Sequence, residues 1–117
     1  MYMILDINSH KFKVKVVSSK LDVTKGMMKQ RFDDSFNGML FLMGSGHHSF
    51  WMKDCLIPLD IIFIDNNEIT KIHNNCQPCY TDRCENYTGY GNLVLEVEGG
   101  TCDMLEISEG DFIKFDW

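Results

Sequence analysis

The chain has 117 residues, 44% of them hydrophobic and 24% charged, the balance of an ordinary globular protein. That length predicts one domain over residues 1–117, able to bury roughly two-thirds of its unfolded surface and to fold without obligatory staples. Eleven basic against 17 acidic side chains give a net charge of −6, an acidic surface that repels phosphate backbones and argues against general nucleic-acid binding.

The N-terminal Met1-Tyr2-Met3-Ile4-Leu5 run is broken by Asp6 and lacks a basic flank and a cleavage site, so it does not read as a signal peptide. No apolar stretch approaches the roughly 20 residues a membrane-spanning helix needs, so no membrane insertion is expected. Cytoplasm is the expected location as the chain is written, and export the alternative if a leader has been removed. Phe12, Val14 and Val16 alternate with Lys11, Lys13 and Lys15, which predicts a half-buried strand whose lysines form a solvated face and discourage edge pairing. Ser19 or Asp22 is placed to cap a short helix running to about Arg31, with Val23, Met27 and Met28 turned inward and Gly26 weakening it.

A loop follows, with its turn expected at Asn37-Gly38, and then a buried strand over residues 39–43. Residues 44–49, rich in Gly, Ser and His, read as the next loop, leading into Phe50-Trp51-Met52. Residues 59–64 are almost all β-branched or aromatic and predict a central strand. Asp65-Asn66-Asn67 turns the chain into a hairpin partner over residues 68–73. Residues 74–92 read as a long polar stretch carrying three cysteines. Leu93 to Val97 form another strand ended by Gly99-Gly100, and Glu109-Gly110-Asp111 turns into a last strand over residues 112–115. Many short strands with one helix predict a mostly β, compact, largely antiparallel β-barrel-like domain with one short α-helix.

Three segments carry a family resemblance: Gly38-Met39-Leu40-Phe41, Phe50-Trp51-Met52-Lys53-Asp54-Cys55, and Ile57-Pro58-Leu59-Asp60 with the apolar strand that follows. With Gly26-Met27-Met28, Leu95-Glu96, Gly100 and Gly110-Asp111, they resemble domain-of-unknown-function family 192, from about Val14 to Phe115. Where relatives usually have Asn-Thr, this chain has Asp54-Cys55. The resemblance implies a fold, a cysteine pair like that at Cys79 and Cys84 in part of the family, and frequent export of relatives. It implies no established activity.

Asp60 is the carboxylate best placed for chemistry. It opens an apolar strand, surroundings that raise a carboxyl pKa and suit an acid or base. The plainer reading is that it accepts backbone N–H bonds and locks the strand entrance. Trp51, flanked by Phe50 and Met52, would wall a ligand pocket or simply fill core. His48, beside His47 in a Gly/Ser-rich segment, is a third ligand-binding candidate, its plainer reading being an exposed loop histidine. Cys76, Cys79 and Cys84 have the spacing C-x2-C-x4-C; no cofactor is expected, but zinc held by these thiolates is the alternative. Cys79 and Cys84 as a disulfide, or all three as free thiols, compete with it. Glu96 and Glu98 alternate with Leu95 and Val97 and read as a solvated strand face. The favoured function is a ligand-binding or accessory module with a pocket near Trp51 and Asp60, its partner a small molecule or a protein. A hydrolase or lyase using Asp60, and an interaction protein with a Cys-stapled loop, are the alternatives.

Overall fold

The computed structural model describes residues 1–116. Seven strands form one sheet: β1 (Tyr2–Ile7), β2 (His10–Val17), β3 (Gly38–Phe50), β4 (Leu59–Asp65), β5 (Glu68–Cys76), β6 (Tyr87–Glu98) and β7 (Ile113–Asp116). Their order is β5-β4-β6-β3-β2-β1-β7, and every pairing is antiparallel except β2 with β3. A parallel pair needs a crossover, and residues 18–37 supply it with helix α1 (Lys20–Lys25). The sheet curls until its edge strands approach. Ile69 N donates to Asp111 O at 2.8 Å, and Ile113 N donates to Asn67 O at 2.8 Å. This half-barrel is the mostly β, barrel-like architecture that the strand pattern predicts, with a second short helix, α2 (Thr101–Leu105), added to it.

Local chemistry explains where the chain turns. Asn66 and Asn67 have φ of 50° and 65°, the left-handed pair that a two-residue hairpin between β4 and β5 requires. Asn8 and Ser9 do the same between β1 and β2, and Asp6 Oδ1 accepts the Ser9 N–H at 3.0 Å. β4 is buried along its first six residues and lies between β5 and β6, as its almost wholly apolar run predicts. β2 has neighbours on both sides, so its lysines guard no edge; Lys11 Nζ instead meets Asp6 at 3.3 Å and Asp116 at 2.9 Å.

Several boundaries differ from the sequence expectation. Ser19 Oγ accepts the Asp22 N–H at 3.1 Å and caps α1, but the helix stops at Lys25 rather than near Arg31. Gly26, at φ 47°, ends it by adopting a backbone that side chains resist. The turn expected at Asn37-Gly38 lies earlier, where Asp33 Oδ1 accepts both the N–H and hydroxyl of Ser35 at 2.7 and 2.6 Å. Asn37 pairs with Lys13, and Gly38 opens β3. The loop expected over residues 44–49 is strand: after a register shift between Leu42 and Gly46, β3 continues against Tyr87–Gly91 of β6. The polar stretch 74–92 therefore contributes both its ends to strands and leaves only residues 77–86 as loop.

Both faces of the sheet are covered. One cluster, including Leu5, Val14, Leu40, Ile62, Leu95 and Ile113, joins strands from both edges and so lies inside the curl, closed by Cys102 of α2 and Ile107. A second, including Met39, Phe41, Ile61, Phe63 and Val94, occupies the other face under Met27, Phe36, Met52 and Cys55. The covering segments of this second face build the candidate site.

Candidate functional site

Where β3 ends at Phe50, the chain crosses the second face as Trp51-Met52-Lys53-Asp54-Cys55. Met52 and Cys55 are buried beneath it, while Trp51 stays 41% exposed. Backbone bonds stitch this segment to its neighbours. Lys29 N donates to Asp54 O at 2.8 Å, Asp54 N to Cys79 O at 2.9 Å, and Cys79 N to Met52 O at 3.0 Å. Asp54 has φ 58°, a left-handed backbone that Asp and Asn tolerate better than most residues. Lys53 Nζ reaches Asp82 at 3.1 Å and lies 5.7 Å from the centre of the Trp51 ring.

A cavity of about 250 Å³ lies between this segment, α1 with the turn after it, and the sheet. Phe41, Phe50 and Trp51 give it aromatic walls, Met27 and Met28 give it polarizable ones, and Glu96 gives it a carboxyl. Phe41 and Phe50 pack edge to face at 4.9 Å. The exposed Lys25 and Ser49 also border it and mark its solvent side. A larger apolar groove of about 870 Å³ lies beside Met1–Ile4, Leu40, Leu42, Leu93 and Phe115, where Asn92 Oδ1 is buried with no hydrogen-bond partner among the described residues. That groove is more open to solvent and, among the described residues, holds no buried ionisable group.

Glu96 corrects the sequence expectation. It lies opposite Met39 of β3 and Ile61 of β4 on the second face, and it is 3% exposed rather than solvated; Glu98, one step past the covered region, is exposed. No described residue hydrogen-bonds its carboxyl. Burial pushes its pKa from 4.5 up to about 8, so it is mostly protonated at neutral pH. Burial, with the Glu96 and Asp54 charges behind it, also pushes the Cys55 thiol up to about 12. The cavity thus holds an inert thiol and a neutral acid able to donate a hydrogen bond, accept one, or release a proton. The adjacent apolar pair Val94-Leu95 was the available signal. Two neighbouring buried residues mean a strand covered on both faces, and Glu96 then follows Val94 inward.

Asp60 lies on the opposite face. It sits across from Val97 on the side of the inner core and is fully buried. Its Oδ1 accepts the N–H of Asn75 at 2.7 Å and of Gly100 at 3.1 Å, and its Oδ2 accepts that of Cys102 at 2.8 Å. It ties the end of β5 to the start of α2 and does not line the cavity that Trp51 lines. His48 is half-buried on the outer part of β3 with Nε2 2.6 Å from Gly44 O, and it too stands outside the cavity.

The three cysteines of the C-x2-C-x4-C spacing are not brought to one point. Cys79 and Cys84 form a disulfide with Cα atoms 5.8 Å apart, while Cys76 is a buried free thiol whose pKa burial lifts to about 11. Among the described residues, no three His, Cys, Asp or Glu side chains converge in a way that would hold a metal. Reduction of this short loop is expected to lower stability by about 2 kcal/mol. Thiol titration checks the arrangement: three thiols should react in denaturant, against five after reduction, with none reacting fast in the native protein. Five thiols in denaturant without reductant would mean the bond is absent.

Among the described residues, no helix is long and apolar enough to cross a membrane. No curated protein matches the chain. A Sinorhizobium meliloti 1021 crystal structure described as a "putative transcription regulator" superposes with a TM-score of 0.82 at 28% identity, over 97% of this chain and 92% of that one. A protein of unknown function from Novosphingobium aromaticivorans DSM 12444 gives 0.80 at 30% identity, over 97% and 83%. The profile of domain-of-unknown-function family 192, described as "Uncharacterized ACR", matches residues 3–115, and the chain belongs to that family.

Proposed function

We propose that the chain is a binding module for a small organic ligand, held in the cavity between Trp51, the turn after α1 and Glu96. One observation carries this reading. A carboxyl without a partner is costly inside a core, yet Glu96 is kept on a central strand where a hydrocarbon side chain would pack. Its position on the wall of an aromatic-lined cavity supports a role in holding something that enters. The volume suits a molecule of roughly ten non-hydrogen atoms, larger than the benzene that a 150 Å³ cavity accepts. The acid–base reading of Asp60 is set aside in its favour, because that carboxylate already accepts three backbone bonds. An oxidising compartment belongs to the same proposal, since a disulfide such as Cys79–Cys84 persists there.

Benzyl alcohol serves as a probe. In an NMR titration, it should shift the methyl signals of Met27, Met28 and Met43 and the indole signal of Trp51, all on the cavity wall. Met43→Trp, which fills the space, should abolish those shifts. Shifts scattered over the surface, or unchanged by Met43→Trp, would count against the cavity as a binding site.

A further inference from the structure

We infer that the cavity takes a small organic cation, an amine whose ammonium pairs with Glu96 while its apolar body lies against Phe41, Phe50 and Trp51. This rests on the cavity reading and narrows it to one chemical class. No described residue hydrogen-bonds the carboxyl, which is 3% exposed and on the cavity wall, so a ligand there can complete its hydrogen bonding. Three classes of ligand can be compared. An anion could meet Lys25 and Ser49 at the solvent side, but it would also face the Glu96 carboxyl, which repels it once ionised. A neutral alcohol would satisfy one hydrogen bond and leave the aromatic walls with only dispersion to offer. An ammonium is stabilised by the carboxylate and by the negative faces of aromatic rings, and a chain of net charge −6 attracts it.

The groups around Glu96 set its titration. From the sheet it meets Met39 of β3 and Ile61 of β4, neither of them ionisable, and the Cys76 thiol of β5 stands near enough to feel its charge. From the crossing segment come the Cys55 thiol, with Asp54 beside it, and Lys53 above Trp51; from α1 comes Lys25, whose exposed side chain borders the solvent side. Burial is what holds the proton on Glu96. Binding therefore balances as follows: the ammonium enters with its proton, Glu96 ionises, and one proton leaves to solvent.

The test compares benzylamine, benzyl alcohol and benzoate by calorimetry at pH 6, 7 and 8, in buffers of different ionisation heat. With the Glu96 pKa at about 8, benzylamine should release about 0.9 proton at pH 7 and bind roughly fifty-fold more tightly at pH 8 than at pH 6. Benzyl alcohol should show neither effect. Glu96→Gln should remove the proton release and the pH dependence for the amine. If benzyl alcohol or benzoate binds as well as benzylamine at pH 8, or no proton is released, the cation assignment fails while the cavity stands. If none of the three binds, the cavity reading fails and this inference falls with it.

Discussion

Asp60→Ala is expected to lower stability by about 3–5 kcal/mol, among the larger effects a single substitution produces. The carboxylate accepts three backbone N–H groups at 2.7–3.1 Å, from Asn75, Gly100 and Cys102. Alanine leaves all three donors without an acceptor beside the inner core, where Cys102 and Val97 leave little room for water. Hydrogen bonds to a charged acceptor are the strong kind, and these three tie elements far apart in sequence, so their loss should loosen α2 and the end of β5 together. Asp60→Asn separates charge from shape. Its one oxygen can keep Asn75 and Gly100, but its amide would meet the Cys102 N–H donor to donor, so a cost of about 1–3 kcal/mol is expected. Urea midpoints with equal m-values provide the measurement. An alanine variant within about 1 kcal/mol of wild type would mean that these bonds add little, and would return Asp60 to the list of groups waiting for a substrate.

What was legible in the sequence was local or strongly periodic. The run Leu59-Asp60-Ile61-Ile62-Phe63-Ile64 could only be a central strand, and Asn66-Asn67 carries its own left-handed turn, so the β4–β5 hairpin stands where expected. The outer half of β3 was not legible. Gly44 to Ser49 has the composition of a loop, and it becomes strand only because equally polar residues 87–91, about 40 positions away, lie beside it. β1 is hidden by its place at the start of the chain, where the apolar run Met1 to Leu5 is too short to show a strand's alternation. α2 was hidden behind Gly99-Gly100, which ends a strand but also gives Gly100 the φ of 94° from which the helix starts. The cysteine spacing offered the Cys79–Cys84 disulfide as one reading, with zinc and free thiols beside it. Cys76 turns inward at the end of β5, and only the fold of loop 77–86 brings Cys79 to Cys84. Glu96 shows the limit most clearly. Leu-Glu-Val-Glu reads as one wet face, and only the segments crossing above it, from residues 27–36 and 51–55, make that face dry.

The buried Glu96 should also make stability fall as pH rises, opposite to the usual behaviour of a paired carboxylate. Its pKa is 4.5 in the unfolded chain and about 8 in the folded one. Below pH 4.5 both states hold the proton and the group contributes no difference. Between 4.5 and 8 the unfolded chain releases it while the folded one keeps it, so the folded state binds more protons and loses up to about 1.4 kcal/mol of stability per pH unit. Above 8 both states are ionised and the loss levels off, after a total on the order of 3–5 kcal/mol. Asp33 and Asp111 oppose this at the acid end. Ser35 hydrogen bonds for the first, and the Ser108 N–H for the second, hold their carboxyls below the usual range, and the stability they give is lost as pH falls through it. Wild type should therefore be most stable near pH 5, the region just above the Glu96 unfolded value. Glu96→Gln cannot ionise. Its stability should stay level from pH 5 to pH 8, below the range where unfolded thiols ionise, starting near wild type and ending several kcal/mol above it, as read from urea midpoints across that range. A difference between the two proteins that does not change with pH would show that Glu96 is ionised in the fold, and hence hydrated or paired. Saturating benzylamine should flatten the wild-type curve as well, because a carboxylate paired with an ammonium no longer resists losing its proton.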